Sequence, residues 1–113
     1  MKGFEMNIEF GYFYRDCGNF KNFGEVIFAN KRSLSAKEIN EKLLSTVMPE
    51  PFFRASDLGL PDLFFENFPY DPELDHESHE YHKVSETEKP TNDSFNRDIT
   101  DLLLAIEKKY RNW

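Results

Sequence analysis

At 113 residues the chain has the size of one domain, long enough for a single core and too short for two. A composition 39% hydrophobic and 31% charged places it among soluble globular chains, and a net charge of −7 argues against nucleic acid or an anionic membrane as its partner. One cysteine, Cys17, excludes an internal disulfide or a multi-cysteine zinc site, and no apolar run approaches the roughly 20 residues that a membrane-spanning helix needs.

The first predicted element is a strand. Met6, Ile8, Phe10, Tyr12 and Tyr14 alternate with Asn7, Glu9, Gly11 and Phe13, the period-two pattern of a strand with one buried face. The turn-rich RDCGNFKN follows, and GEVIFAN (24–30) reads as a second strand. A link of roughly eight residues suits an antiparallel pair with an exposed hairpin loop.

LSAKEI carries the sharpest local signal. Ser35 is an N-cap, Glu38 completes a capping box three residues on, and Leu34 with Ile39 forms a hydrophobic staple. Ile39, Leu43, Leu44 and Val47 mark one face of a helix over 36–47, which Pro49 and Pro51 end because proline lacks the backbone N–H. PFFRASDLGLP reads as an irregular connection with a helical turn at 54–58, and DLFFE (62–66) as a third strand. Core positions are expected at Phe53, Leu60, Leu63 and one of Phe64 and Phe65.

FPYDPELD is a loop, HEYHKV (79–84) a fourth strand at the sheet edge, and SETEKPTND (85–93) a polar, mobile link. From Ser94 a second helix is expected, because Phe95, Ile99, Leu102, Leu103, Ile106 and Tyr110 step along one face. The order ββαββα predicts a single two-layer α+β domain spanning 1–113, with an antiparallel sheet of about four strands and two helices on one face.

Three places carry candidate chemistry. His76, His79 and His82 recur every three residues, but neither a strand nor a helix brings all three to one point. His76, His79 and Glu80 are therefore the residues of a metal-site reading, with Asp75 as an alternative acid, set against a polar strand that faces water or a partner. In the hairpin loop, Arg15, Asp16, Asn19 and Lys21 form a recognition surface beside Phe20 and Phe23, or else Asp16, Gly18 and Asn19 only satisfy turn geometry. The acidic-aromatic stretch adds Phe68, Tyr70 and Asp75, and the fourth strand adds His79 and Tyr81, as protein-binding candidates.

Glycine spacing fits neither a GxGxxG motif nor a phosphate-binding loop, and no G-x-S-x-G elbow exists. Cys17 beside Arg15 lacks the helix start that would activate a nucleophile. No catalytic residue and no cofactor are expected.

Between Tyr70 and Thr100 stand nine acids (Asp71, Glu73, Asp75, Glu77, Glu80, Glu86, Glu88, Asp93 and Asp98) against Lys83, Lys89 and Arg97, so one stretch holds most of the excess charge. The leading expectation is a small acidic interaction protein, in its concrete form an immunity- or antitoxin-like inhibitor of a basic partner. A metal-binding or metal-sensing domain and a homo-oligomeric module that pairs strand edges are the alternatives. The start MKGFEMNIEF lacks the apolar run of a signal peptide, which points to the cytoplasm.

The blocks FYRDCGNFKNFGEVIFAN, GLPDLFFENFPYDPELDHESHEYHKV and SETEKPT resemble a family of small uncharacterised bacterial proteins that share YRD…NxKNFG and LDHxxHE segments. An aromatic often stands at the position of Ser78 in that family, and this chain departs from it there. The resemblance implies one domain and a bacterial source, and no function.

Overall fold

A computed structural model describes residues 6–16, 18–44, 52–65 and 78–110. Its elements are β1 (Asn7–Arg15), β2 (Lys21–Phe28), α1 (Ala36–Lys42), β3 (Phe52–Arg54), β4 (Ser78–Thr87) and α2 (Ile99–Tyr110), with a 3-10 turn over Ala55–Leu58. The strands form one antiparallel sheet in the order β2-β1-β4-β3. The ββαββα order and the two-layer α+β class are as the sequence predicts. No helix among the described residues is long and apolar enough to cross a membrane.

The alternation in β1 builds the core directly. Ile8, Phe10, Tyr12 and Tyr14 are buried on the inner face, where Val26, Phe28, Tyr81 and Val84 from the neighbouring strands join them. Ile39 and Leu43 from the first helical segment, and Ile99, Leu102 and Ile106 of α2, close over the same cluster. Ser35 caps α1 as expected, its side chain accepting from the Glu38 N–H at 3.1 Å. The helix runs regularly to Lys42 with looser turns at 43 and 44, and the rest of the predicted 36–47 span lies outside the described residues.

Several boundaries differ from expectation for identifiable reasons. β2 begins at Lys21 rather than 24, so the hairpin loop is only 16–20. Its side chains fold the loop tightly: Asp16 Oδ1 accepts from the N–H groups of Gly18 and Phe20, both at 2.9 Å. The third strand is Phe52–Arg54 and not the stretch from Asp62, which lies flat on the inner face. There, side chains take the hydrogen bonds that a neighbouring strand would have used. Leu63 N–H donates to His79 Nε2 at 3.0 Å, and Asn22 Nδ2 donates to the Leu63 carbonyl at 2.9 Å. Tyr12 donates its hydroxyl to the Pro61 carbonyl at 2.6 Å. Gly24 leaves the room this requires, since a Cβ there would stand 2.8 Å from Leu63 Cδ2.

The stretch expected to be a mobile link is instead tied down. Ser85–Thr87 belong to β4, and the following residues cross the outer face as a strap. Asn7 Nδ2 donates to the Lys89 carbonyl at 2.8 Å, and Lys89 Nζ lies 3.1 Å from Glu9 Oε1. At the β2 edge Ile27 and Asn92 exchange two hydrogen bonds of 2.7 and 3.1 Å. A parallel bridge between Ala29 and Asp98 then brings the chain to α2.

α2 starts at Ile99, not Ser94, because Asn96 has φ 52° and Asp98 caps the helix. Asp98 accepts from the Thr100 N–H at 3.0 Å and from the Lys31 N–H at 2.7 Å. One turn earlier, Arg97 grips Asp93 through Nε at 2.9 Å and Nη2 at 3.0 Å, and donates to the Leu58 carbonyl at 2.7 Å. Its guanidinium also lies over the rings of Phe28 and Phe95. Phe95 rests on Gly59, which ends the 3-10 turn at φ 69° and has no side chain to obstruct the ring.

Burial alone would raise the pKa of Asp93, but the hydrogen bonds and charge of Arg97 outweigh it and hold this carboxyl below its ordinary 3.8. Burial opposes ionisation of Asp98 too, and the Lys31 and Thr100 hydrogen bonds again win. Both folded-state values are lowered, so both acids stabilise the fold above the unfolded-state pKa and lose that contribution as pH falls through the folded one. The melting temperature is expected to be insensitive to these two groups above about pH 5 and to drop below about pH 4. An Asp93→Asn/Asp98→Asn variant should show a flatter acid limb in thermal melts across that range.

Candidate functional site

Cross-strand register, more than sequence proximity, assembles the most distinctive surface of the protein. On the outer face, opposite both helices, Phe23, Phe13, Glu80 and Phe52 stand side by side on β2, β1, β4 and β3. Phe13 and Phe23 pack with ring centroids 5.0 Å apart. His82 completes the cluster at 5.2 Å from Phe23 and 6.2 Å from Phe13. Phe13 is covered, whereas Phe23 is 55% and Phe52 49% exposed. Large rings left open in this way are uncommon anchors on a small domain.

His82 stands on the outer face by plain alternation from His79 and Tyr81, and a bulge follows at that point. Gly11 pairs with Lys83 and Tyr12 with Tyr81, so His82 is the extra residue of β4 and the side-chain alternation resets across it. His79 and Tyr81 before the bulge and Val84 after it all face the core, while His82 and Lys83 face solvent.

Towards the hairpin end the aromatic row is bordered by cations. Arg15 and Lys21 form a register pair, and both lie 5.5 Å from the Phe13 ring centroid. Arg54 stands on the far strand, paired in register with Ser78. Arg15 is held in place by Glu80, with Nε to Oε2 at 2.8 Å and Nη2 to Oε1 at 3.3 Å. It also donates to the Asn19 side chain. The rim is mixed in sign, with Glu25 and Lys83 on the other side of the row.

The candidates named from sequence therefore separate. Arg15 and Lys21 flank the aromatic row, as a recognition surface requires. Asp16 and Asn19 are engaged in the loop itself: Asn19 adopts φ 68° and donates its N–H to the Asp16 carbonyl at 3.0 Å. Phe68, Tyr70, Asp75, His76 and Cys17 lie outside the described residues.

His79 and Tyr81 are not surface residues. His79 is 0% exposed, in a ring of Tyr12, Tyr14, Phe53 and Phe64, with Nε2 accepting the Leu63 N–H. One of its two ring nitrogens is thus occupied by backbone. Tyr81 donates its hydroxyl to Asn40 Oδ1 at 2.6 Å and so ties α1 to the sheet, and burial pushes its pKa up to about 12. The strand expected at the sheet edge lies between β1 and β3, and its alternate residues are core for that reason. Glu80 spends its carboxylate on Arg15, and no cluster of three metal-ligating side chains occurs among the described residues.

Phe13 and Arg54 were not singled out by sequence reasoning, and His82 stood out only for the histidine step. Phe13 did carry a signal, because it occupies the water-facing parity of β1 after Asn7, Glu9 and Gly11, where a large ring is out of place. The helix side offers a groove of about 580 Å³ between α1 and α2, floored by Leu34, Ile39 and Leu103. Arg32, Glu38, Lys42, Asp101 and Glu107 supply its charged lining. Comparison with protein-family models, with curated proteins and with solved structures gives no match.

Proposed function

We propose that the protein is a small acidic interaction domain, without catalysis of its own, that captures a protein partner on the outer face of its sheet. Its concrete form is an immunity- or antitoxin-like inhibitor. The exposed row of Phe23 and Phe52 about Phe13 and Glu80, bounded by Lys21, Arg15 and Arg54, carries this reading. Aromatic anchors inside a polar rim concentrate binding energy at protein interfaces.

Charge acts on the partner at two ranges. The net −7 steers a basic protein towards the domain over distances comparable with the Debye length. At contact, Lys21 asks for a carboxylate on the partner, placed beside the apolar spot that receives Phe23. A basic protein with an acidic-apolar inhibitory site satisfies both requirements.

The test is affinity capture from an extract of the cells that make the protein, with wild type and a Phe23→Ser/Phe52→Ser variant side by side. A basic protein retained at low salt, released as salt rises and absent from the variant is the expected result. Identical capture by both baits, or retention that ignores salt, would sink the reading.

A further inference from the structure

We propose that the protein pairs with a second copy of itself through the free edge of β2, about a two-fold axis at Phe23. Among the described residues β2 ends the sheet, with β1 as its strand partner. The outward direction of its backbone groups is fixed by Ile27, whose N–H and C=O both point away from β1 to Asn92. Ala29 likewise turns its carbonyl outward to the Ile99 N–H at 2.8 Å. Hydrogen-bonding direction alternates along a strand, so Lys21, Phe23 and Glu25 aim theirs outward too, and no described residue takes them. The strap protects the edge from Ile27 onward. Among the described residues, nothing covers the five from Lys21 to Glu25.

Those five read KNFGE, which is complementary to itself in reverse. Antiparallel pairing centred on Phe23 sets Lys21 of each copy opposite Glu25 of the other, and Phe23 opposite Phe23. All three side chains lie on the outer face, because they are two residues apart. All three positions also present outward backbone groups, so each pair exchanges both of its hydrogen bonds. The contact is isologous, as a two-fold axis requires, and opposite charges flank an aromatic pair. An unprotected edge is a template for another strand, and here the side chains specify which strand. The hairpin turn at 16–20 and the Asn92 strap limit the pairing to this length.

The two sheets would become one, and the aromatic row of each would join at Phe23. Lys21 of each copy is then engaged by Glu25 of the other, and the far end of each row, at Phe52, stays clear of the contact. Because the dimer forms without any other protein, its test is independent of the proposed function.

Light scattering coupled to gel filtration over a concentration series should give a mass rising towards twice the 13.4 kDa of one chain. Lys21→Glu alone, or Glu25→Lys alone, places two like-charged pairs across the axis, and either variant should run as a monomer with an unchanged circular dichroism spectrum. The double exchange K21E/E25K restores both pairs and should restore the dimer. Amide exchange at Lys21, Phe23 and Glu25 should slow as concentration rises. A wild type that stays monomeric throughout overturns the proposal, and so does a dimer indifferent to both single exchanges.

Discussion

Replacing Arg97 by methionine is expected to destabilise the domain by about 3 kcal/mol, although the residue touches none of the candidate interaction face. Its side chain is 16% exposed and that of Asp93 only 1%, so the substitution leaves a carboxylate stranded out of water. It also removes the donor to the Leu58 carbonyl and the cation from between Phe28 and Phe95. Losing one partner of a buried pair is worse than losing both, because the remaining charge keeps its desolvation cost. The double variant Asp93→Asn/Arg97→Met should therefore lose clearly less than the sum of the single losses. Urea unfolding of the four proteins closes the cycle, and strict additivity would rule out the coupling.

The second large effect is expected at His79. His79→Phe keeps a ring among Tyr12, Tyr14, Phe53 and Phe64 but deletes the acceptor for the Leu63 N–H, for about 1–3 kcal/mol. His79→Ala adds a cavity and should lose about 2–5 kcal/mol. In both variants the Leu63 amide should exchange faster with solvent, because its hydrogen bond is gone, while the amides that pair β1 with β2 remain protected at equal stability. Unchanged exchange at Leu63 would mean that His79 does not hold this segment.

The fates of individual residues show why some of the architecture was readable and some was not. Ser35 and Glu38 announce a helix start because capping is local, a matter of four consecutive residues. The inner face of β1 was equally plain, since a strand of alternating rings and polar groups has one economical arrangement. Phe64 and Phe65 misled because β propensity says nothing about hydrogen-bond supply: His79 and Asn22, remote in sequence, take the backbone groups that a sheet would need. The regular histidine step concealed a bulge at His82, after which Lys83 shares the outer face and Val84 returns to the core. The candidate interaction face was hidden for a related reason. Phe23, Phe13, Glu80 and Phe52 meet only through three strand registers, and none of these registers is written in the neighbourhood of the residues it joins.

The strap has a kinetic consequence. Asn7 and Lys89 are bonded across 82 positions, Ile27 and Asn92 across 65, and Lys31 and Asp98 across 67, so the contacts that close the domain are among the most distant in the chain. The β1–β2 hairpin can form early from neighbours alone. α2 reaches its seat only after β4 has joined β1 and the chain has travelled round the far edge of the sheet. Such a topology folds slowly for its size, and through the last part of that passage the whole outer side of β2, including the stretch from Ile27 that the strap later covers, stands exposed to other chains.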